Sequence, residues 1–244
     1  MDQTRTSPAR STSDAPGLTF GRSPLGRLVP ALFGLAVAVD LGSLLAGSEA
    51  GHLVAKPLLM PLLAAWAALS GAPRLLIAAL LFGWGGDVLL LADADPAFLA
   101  GMGSFAAGHV CYLVLFRRMG PSRASAKLLA PAYALTLVGV VALLWPNLPA
   151  DLRIAVAAYS ALLTAMAYLA ATRVGLVAGI GGALFLLSDT LIATDIAEWP
   201  QLPRPDFWVM LTYIAAQLLL TQGVLTRGAP ARRVVIERSA GDLP

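Results

Sequence analysis

Long apolar runs separated by short polar segments make up the chain from residue 28 to residue 226. A helix that crosses the roughly 30 Å hydrocarbon core of a bilayer needs about 20 such residues. Eight segments fit: 28–46, 53–70, 74–92, 97–116, 128–145, 152–171, 174–194 and 206–226. Apolar and polar residues do not alternate within them, which excludes a transmembrane β-barrel. The pattern predicts an all-α, polytopic transmembrane helical bundle of eight spans.

Polar sequence lies on both sides of this membrane domain, 28–226. Residues 1–27 are rich in Ser, Thr, Pro and Arg, which predicts a disordered tail, and residues 227–244 form a basic tail. The second span is the weakest, because it is short and carries Pro57 and Pro61. We expect these prolines in its first turns, where proline is tolerated.

Composition favours a membrane protein over a soluble one. Hydrophobic residues make up 58% of the chain and charged residues 13%, against roughly 45–50% and about 25% in soluble domains. The net charge of +3 does not indicate nucleic-acid binding, since the basic residues lie mainly in tails and loops. The single cysteine, Cys111, excludes an intramolecular disulfide.

The distribution of positive charge predicts the orientation. Fourteen of the 17 Lys and Arg residues lie in the tails and the loops after even-numbered spans, and three lie on the other side. Positive charge concentrates on the cytoplasmic side of membrane proteins. We therefore expect a multi-pass protein of the cell membrane with both termini in the cytoplasm.

Spans three and seven share a weak internal similarity. Residues 86–93 resemble residues 188–195, at an offset of 102 residues, and both segments end a span that runs outward. This favours a parallel repeat of four plus four spans, an arrangement known in membrane proteins. Most matched positions are aliphatic, so chance similarity is an alternative.

Ionisable residues inside the spans are the most informative, because a charge at mid-bilayer costs roughly 2.5–3.5 kcal/mol on insertion scales. Asp87 and Asp189 lie in the outer halves of spans three and seven. Tyr213 and Gln217, four residues apart, share a helix face, as do His109 and Tyr112, three apart. We expect one cavity, open to the exterior, where the candidates converge: Asp40, Lys56, Asp87, His109, Tyr112, Ser188, Asp189, Tyr213 and Gln217.

Most of these candidates also have a structural interpretation. Lys56 can snorkel to the interface, and Asp40 can pair with Lys56 or cap a backbone group. His109 can be a hydrogen-bonding group between helices, and the polar pair of span eight can hold helices together. Asp87 and Asp189 are the hardest to explain in this way.

The chain lacks the sequence motifs of several enzyme classes. There is no Gly-x-Ser-x-Gly elbow of a serine hydrolase and no phosphate-binding Gly-rich loop with Lys-Ser/Thr. His52, His109 and Cys111 are too few for most zinc sites, so we expect no metal and no cofactor, although a carboxylate-rich metal site stays open. The residues before Asp87 and Asp189 do not match the Gly-x-Gly-Asp and Tyr-Asp motifs of intramembrane aspartyl proteases.

Several motifs together resemble the YhhN/TMEM86 family. They are Lys56-Pro57, Phe82-Gly-Trp-Gly-Gly-Asp87, Phe98-x-x-Gly101-x-x-x-Phe105-x-x-x-His109-x-x-Tyr112, Ser188-Asp189-Thr190-Leu191-Ile192-Ala193 and Tyr213-x-x-x-Gln217. The resemblance covers about residues 28–226 and implies eight spans. It implies lysoplasmalogenase activity: cleavage of the vinyl ether bond of lysoplasmalogens to a fatty aldehyde and glycerophosphocholine or glycerophosphoethanolamine.

That reaction suits the residues, because it needs a general acid and a second carboxylate rather than a nucleophile. We expect Asp87 and Asp189 to supply this pair, His109 and Tyr112 to position groups or relay protons, and Lys56 to contact the substrate phosphate. A proton-coupled transporter of lipids or small solutes, with the aspartates as a relay, is the alternative function. A structural scaffold is a third.

Overall fold

The computed structural model describes residues 24–92, 94–122 and 126–228, and within these ranges it contains helices and turns but no strand. The all-α prediction is confirmed. Eight helices follow one another: α1 (Pro24–Ala46), α2 (Glu49–Leu69), α3 (Arg74–Leu89), α4 (Asp95–Arg118), α5 (Ala126–Leu144), α6 (Arg153–Leu169), α7 (Leu176–Ile196) and α8 (Pro205–Gly228). A π-helical turn, Ala170–Val174, continues α6 toward α7. Most of each predicted tail lies outside the described residues.

Seven of these helices are long and apolar enough to cross a membrane. The exception is α3, whose 16 residues give a length of about 24 Å at 1.5 Å per residue. The third span was expected to continue to residue 92, but residues 90–92 form a turn instead. Asp87 therefore lies two residues before the end of its helix.

Two helices begin earlier than the apolar runs predict. The first helix starts at Pro24, inside the predicted tail. The second starts at Glu49, whose negative charge is favourable in a first turn. Pro57 and Pro61 consequently lie in the interior of α2, and their expected position in its first turns is wrong. Membrane helices tolerate such prolines, because neighbouring groups satisfy the freed backbone carbonyls.

Glycines allow the closest helix contacts. A Cβ atom at Gly181 of α7 would lie 2.9 Å from the backbone oxygen of Ala216 in α8, and one at Gly223 would lie 2.9 Å from the backbone nitrogen of Ala178. The pair α3 and α4 packs in the same manner, since a Cβ at Gly108 would lie 3.1 Å from the Ala79 oxygen. Small residues let membrane helices approach closely, so these two hairpins hold the two aspartate-bearing helices.

The fifth helix lies at the edge of the bundle. Within α5, all of which is described, only Leu144 is buried, whereas Leu128, Leu135 and Val138 expose most of their surface. Leu144 belongs to a small apolar cluster with Leu148, Val156 and Ala197. This cluster joins the end of α5 to α6 and α7, while the rest of α5 leaves apolar side chains exposed on the outer side of the bundle.

Candidate active site

One cavity collects most of the polar candidates. It lies at the end of the bundle where α2, α4, α6 and α8 begin and α3, α5 and α7 end, and it has a volume of about 110 Å³. Its wall is mainly apolar and includes six polar or charged side chains that matter here: Lys56, Asp87, Tyr159, Ser188, Asp189 and Tyr213. The structure thus brings both aspartates to the same cavity.

Asp87 ends a chain of hydrogen bonds that runs through the core. The hydroxyl of Tyr213 donates to Asp87 Oδ2 at 2.9 Å, and the amide of Gln217 lies 3.4 Å from that hydroxyl and donates to it. Tyr112 in turn donates to Gln217 Oε1 at 2.6 Å. All four side chains are buried. The candidates Tyr112 and Gln217 therefore lie behind Tyr213 and act on Asp87 through it.

Packing fixes the ring of Tyr213. Phe105 and Phe185 contact it edge-on, with ring centroids 5.9 Å and 5.5 Å away. Gly83 of α3 leaves room for its hydroxyl, because a Cβ there would lie 3.0 Å from the Tyr213 oxygen and 3.2 Å from Gln217 Nε2. Gly83 therefore serves the close packing of α3 against α8.

Asp189 ends a second chain, through a residue that the sequence analysis did not single out. The hydroxyl of Tyr159 on α6 donates to Asp189 Oδ2 at 2.5 Å, and His109 Nε2 lies 3.0 Å from the same hydroxyl. The only feature of the sequence that could have indicated this contact is the depth of the two residues in the bundle. Tyr159 lies six residues after the start of α6, and Asp189 lies seven residues before the end of α7, so both are at a similar distance from the same end of the bundle. His109 is buried against Phe185, with ring centroids 4.8 Å apart.

The two aspartates share one arrangement. In each, a tyrosine hydroxyl donates to Oδ2, and within the described residues no hydrogen bond to either Oδ1 atom is formed. The free oxygen is the one that a ligand in the cavity can meet. Electrostatic interactions also connect Asp87 with Asp189, Lys56 and Asp40.

Lys56 and Asp40 differ in their relation to the cavity. Lys56 lines it and, among the described residues, has no carboxylate within 4.0 Å. Asp40 is fully buried outside the cavity wall, and its Oδ1 lies 2.8 Å from His52 Nδ1. Its other oxygen, Oδ2, has no partner within the described residues. The hydrogen-bonded partner of Asp40 is thus a histidine of α2 and not Lys56.

Two serines near the cavity, Ser188 and Ser104, are bonded to backbone oxygens. Ser188 donates to the carbonyl of Val209 at 3.1 Å, and Ser104 donates to that of Phe82 at 2.7 Å. Neither is paired with a general base, which a serine nucleophile needs. Where the chain is described, no three His, Cys, Asp or Glu side chains are grouped closely enough to hold a metal ion.

The arrangement is suited to acid chemistry on an apolar ligand. Two carboxyl groups with one free oxygen each can hold a proton and stabilise a cation in the same space. The apolar wall excludes water from the rest of the ligand, and Lys56, seven residues after the start of α2, adds one positive charge.

Comparison with known proteins points to one group of membrane proteins. Residues 51–224 match the YhhN family. Human lysoplasmalogenase TMEM86B is 36% identical over 162 residues, which cover 66% of this chain and 67% of the human protein. The pig protein of that name is 41% identical over 128 residues, covering 52% and 54%. Lysoplasmalogenase of Mycobacterium tuberculosis is 33% identical over 163 residues, covering 62% and 60%.

The matched segments therefore span between about half and two thirds of these relatives. No solved structure matches the chain.

Proposed function

Because the chain belongs to the YhhN family, we propose that it is a membrane hydrolase that cleaves the vinyl ether bond of lysoplasmalogens. The observation that carries this proposal is the meeting of Asp87 and Asp189 in one apolar cavity, each aligned by a tyrosine hydroxyl. The names of the relatives support it, and the resemblance drawn from the motifs is confirmed. The transporter alternative has no support among these relatives.

The reaction needs a proton donor and a means to stabilise a cation. The acid transfers its proton to the β-carbon of the vinyl ether, and the π electrons form the new C–H bond. The α-carbon and ether oxygen then share the positive charge. Water adds to the α-carbon and loses a proton, and the hemiacetal collapses to a fatty aldehyde and the alcohol of the glycerophospho head group.

The aspartates divide these tasks between them. One carboxylic acid donates the proton, and the other, as a carboxylate, faces the cation and accepts the proton of the attacking water. Glycosidases meet a similar demand with two carboxyl groups. The free Oδ1 atoms are the contacts to the substrate, while the tyrosines hold Oδ2 in place.

The remaining walls of the cavity fit the two ends of a lysolipid. Lys56 is placed to bind the phosphate, since it lines the cavity without an ion pair within the described residues. The apolar side chains that α5 turns inward, Leu137 and Val140, form a slot for the alkenyl chain. The slot is at the edge of the bundle, where a chain can enter from the bilayer.

The orientation of the protein follows from the charge asymmetry of its loops. We propose that both termini are cytoplasmic and that the cavity end faces the cell exterior. In a protein with Cys111 replaced, a single cysteine at position 122, in the loop after α4, should react with a membrane-impermeant thiol reagent only after the cells are opened. Reaction in intact cells would reverse the orientation.

The function is tested by the products of purified protein with a panel of lysolipids, measured by mass spectrometry. A vinyl ether lysolipid should give a fatty aldehyde. The saturated alkyl ether analogue should inhibit competitively without turnover, because it has no double bond to protonate. Free fatty acid released efficiently from the acyl analogue would instead identify a lysophospholipase and contradict the proposal.

A further inference from the structure

The contacts of His109 and Tyr159 indicate what these two residues do for Asp189. This role rests on the proposed function, because it concerns how Asp189 is held for vinyl ether cleavage. A buried histidine near a catalytic carboxyl is ordinarily assigned to proton transfer. The hydrogen bonds around His109 indicate something different.

The single hydrogen of the Tyr159 hydroxyl determines the direction of both bonds. With Asp189 as a carboxylate, this hydrogen is donated to Asp189 Oδ2. The contact with His109 Nε2, at 3.0 Å, then requires the imidazole to be the donor. His109 therefore carries its hydrogen on Nε2, and its Nδ1 holds a lone pair.

The other nitrogen of His109 supports a neutral ring. His109 Nδ1 is buried and has no partner within the described residues. A second proton there would be a buried donor without an acceptor, on a charged group, and that is costly. The aromatic rings of Phe185 and Tyr159 flank the imidazole, and neither gives Nδ1 an acceptor.

His109 is also separated from the ligand. Its side chain is 1% exposed and it does not line the cavity, whereas Tyr159 does. A proton could therefore reach the substrate from His109 only through Tyr159. The hydrogen-bond chain that ends at Asp87 offers a parallel, since Gln217, which does not titrate, occupies the same place behind Tyr213.

We propose that Tyr159 is a positioning residue that fixes Asp189 at the cavity, and that His109 is a second positioning residue that acts as a neutral hydrogen-bond donor to Tyr159. The imidazole takes no part in proton transfer. An amide at position 109 can therefore replace it, because the Nε2 of glutamine occupies nearly the same place as the Nε2 of histidine and donates a hydrogen.

The test compares His109→Gln with His109→Leu in vinyl ether cleavage, with Val110→Ala as a matched control. Val110 is the next residue on α4 and is 47% exposed on the lipid side. His109→Leu should lower kcat by about 10- to 100-fold, the scale of a misplaced catalytic group. His109→Gln should recover most of this loss and keep both limbs of the pH profile. Inhibition by the alkyl ether analogue should stay nearly constant in both variants, since His109 does not touch the ligand.

Two results would overturn the inference while the proposed function stands. If His109→Gln loses as much kcat as His109→Leu, or loses one limb of the pH profile, the imidazole itself transfers a proton. If His109→Leu matches Val110→Ala, the contact with Tyr159 has no effect on the reaction. Absence of aldehyde release by the unmodified protein is a different outcome, and it would refute the proposed function itself.

Discussion

Replacing Gly83 with alanine should weaken catalysis without weakening the fold. The added Cβ would lie 3.0 Å from the Tyr213 oxygen and 3.2 Å from Gln217 Nε2, closer than an ordinary contact. Phe105 and Phe185 confine the Tyr213 ring, so the hydroxyl must shift by a few tenths of an ångström. The bond of 2.9 Å to Asp87 is the one that this shift lengthens.

The size of the effect follows from that bond. A hydrogen bond to a charged group contributes about 1.5–3 kcal/mol, and losing part of it corresponds to a fall in kcat of roughly 3- to 10-fold, at 1.4 kcal/mol per tenfold. Alanine also favours the helix by about 0.5–1 kcal/mol over glycine, which offsets the strain on the fold. The melting temperature should therefore change little.

The assay is the initial rate of aldehyde release together with thermal unfolding of the purified protein. Gly103→Ala is the matched control, because Gly103 is also helical and a Cβ there meets nothing within 4 Å. If Gly83→Ala and Gly103→Ala have the same kcat, the alignment of Asp87 by Tyr213 does not matter for the reaction.

The other predictions concern chain binding, head-group binding, pH and metal. Leu137→Trp should fill the slot and shift the preference toward shorter alkenyl chains, whereas Val138→Trp, on the lipid face, should not; equal chain profiles would place the slot elsewhere. Lys56→Gln should raise KM by about tenfold with less effect on kcat, because it removes the charge that meets the phosphate; an unchanged KM argues against that contact. The pH profile of the activity should be bell-shaped, because the rate falls at low pH as the carboxylate of the pair is protonated and at high pH as the acid loses its proton. A profile with a single limb would indicate one titrating group and contradict the pair. Exhaustive chelation should leave the rate unchanged, and recovery with one specific divalent ion after a loss would place the aspartates in a metal site.

The helices and the aspartates were predictable because each has a strong local signal. Apolar runs of about 20 residues predict membrane helices, and the cost of a charge in lipid distinguishes Asp87 and Asp189 from their neighbours. The spacing of Tyr213 and Gln217 placed them correctly on one face of α8. None of these inferences required knowledge of which helices are neighbours.

Features that depend on helix neighbours were not predictable. Tyr159 is an ordinary amphipathic residue in the sequence of α6, and only the packing of α6 beside α4 and α7 gives it two partners. The pairing of Asp40 with His52 was not predictable, because residues 49–52 precede the apolar run that predicted the second span, although they begin α2. The turn that shortens α3 is itself apolar, so the end of that helix has no hydropathy signal.

The central claim is that Asp87 and Asp189 together protonate a vinyl ether, and the reaction in D₂O tests it most directly. The aldehyde should be trapped by reduction as it forms and analysed by mass spectrometry. Protonation of the β-carbon predicts one deuterium at carbon 2 of the product from the unmodified protein, and a fall in its formation of about 10²-fold or more in both Asp87→Asn and Asp189→Asn. Aldehyde without deuterium at carbon 2, or near-normal turnover in either variant, would contradict the claim.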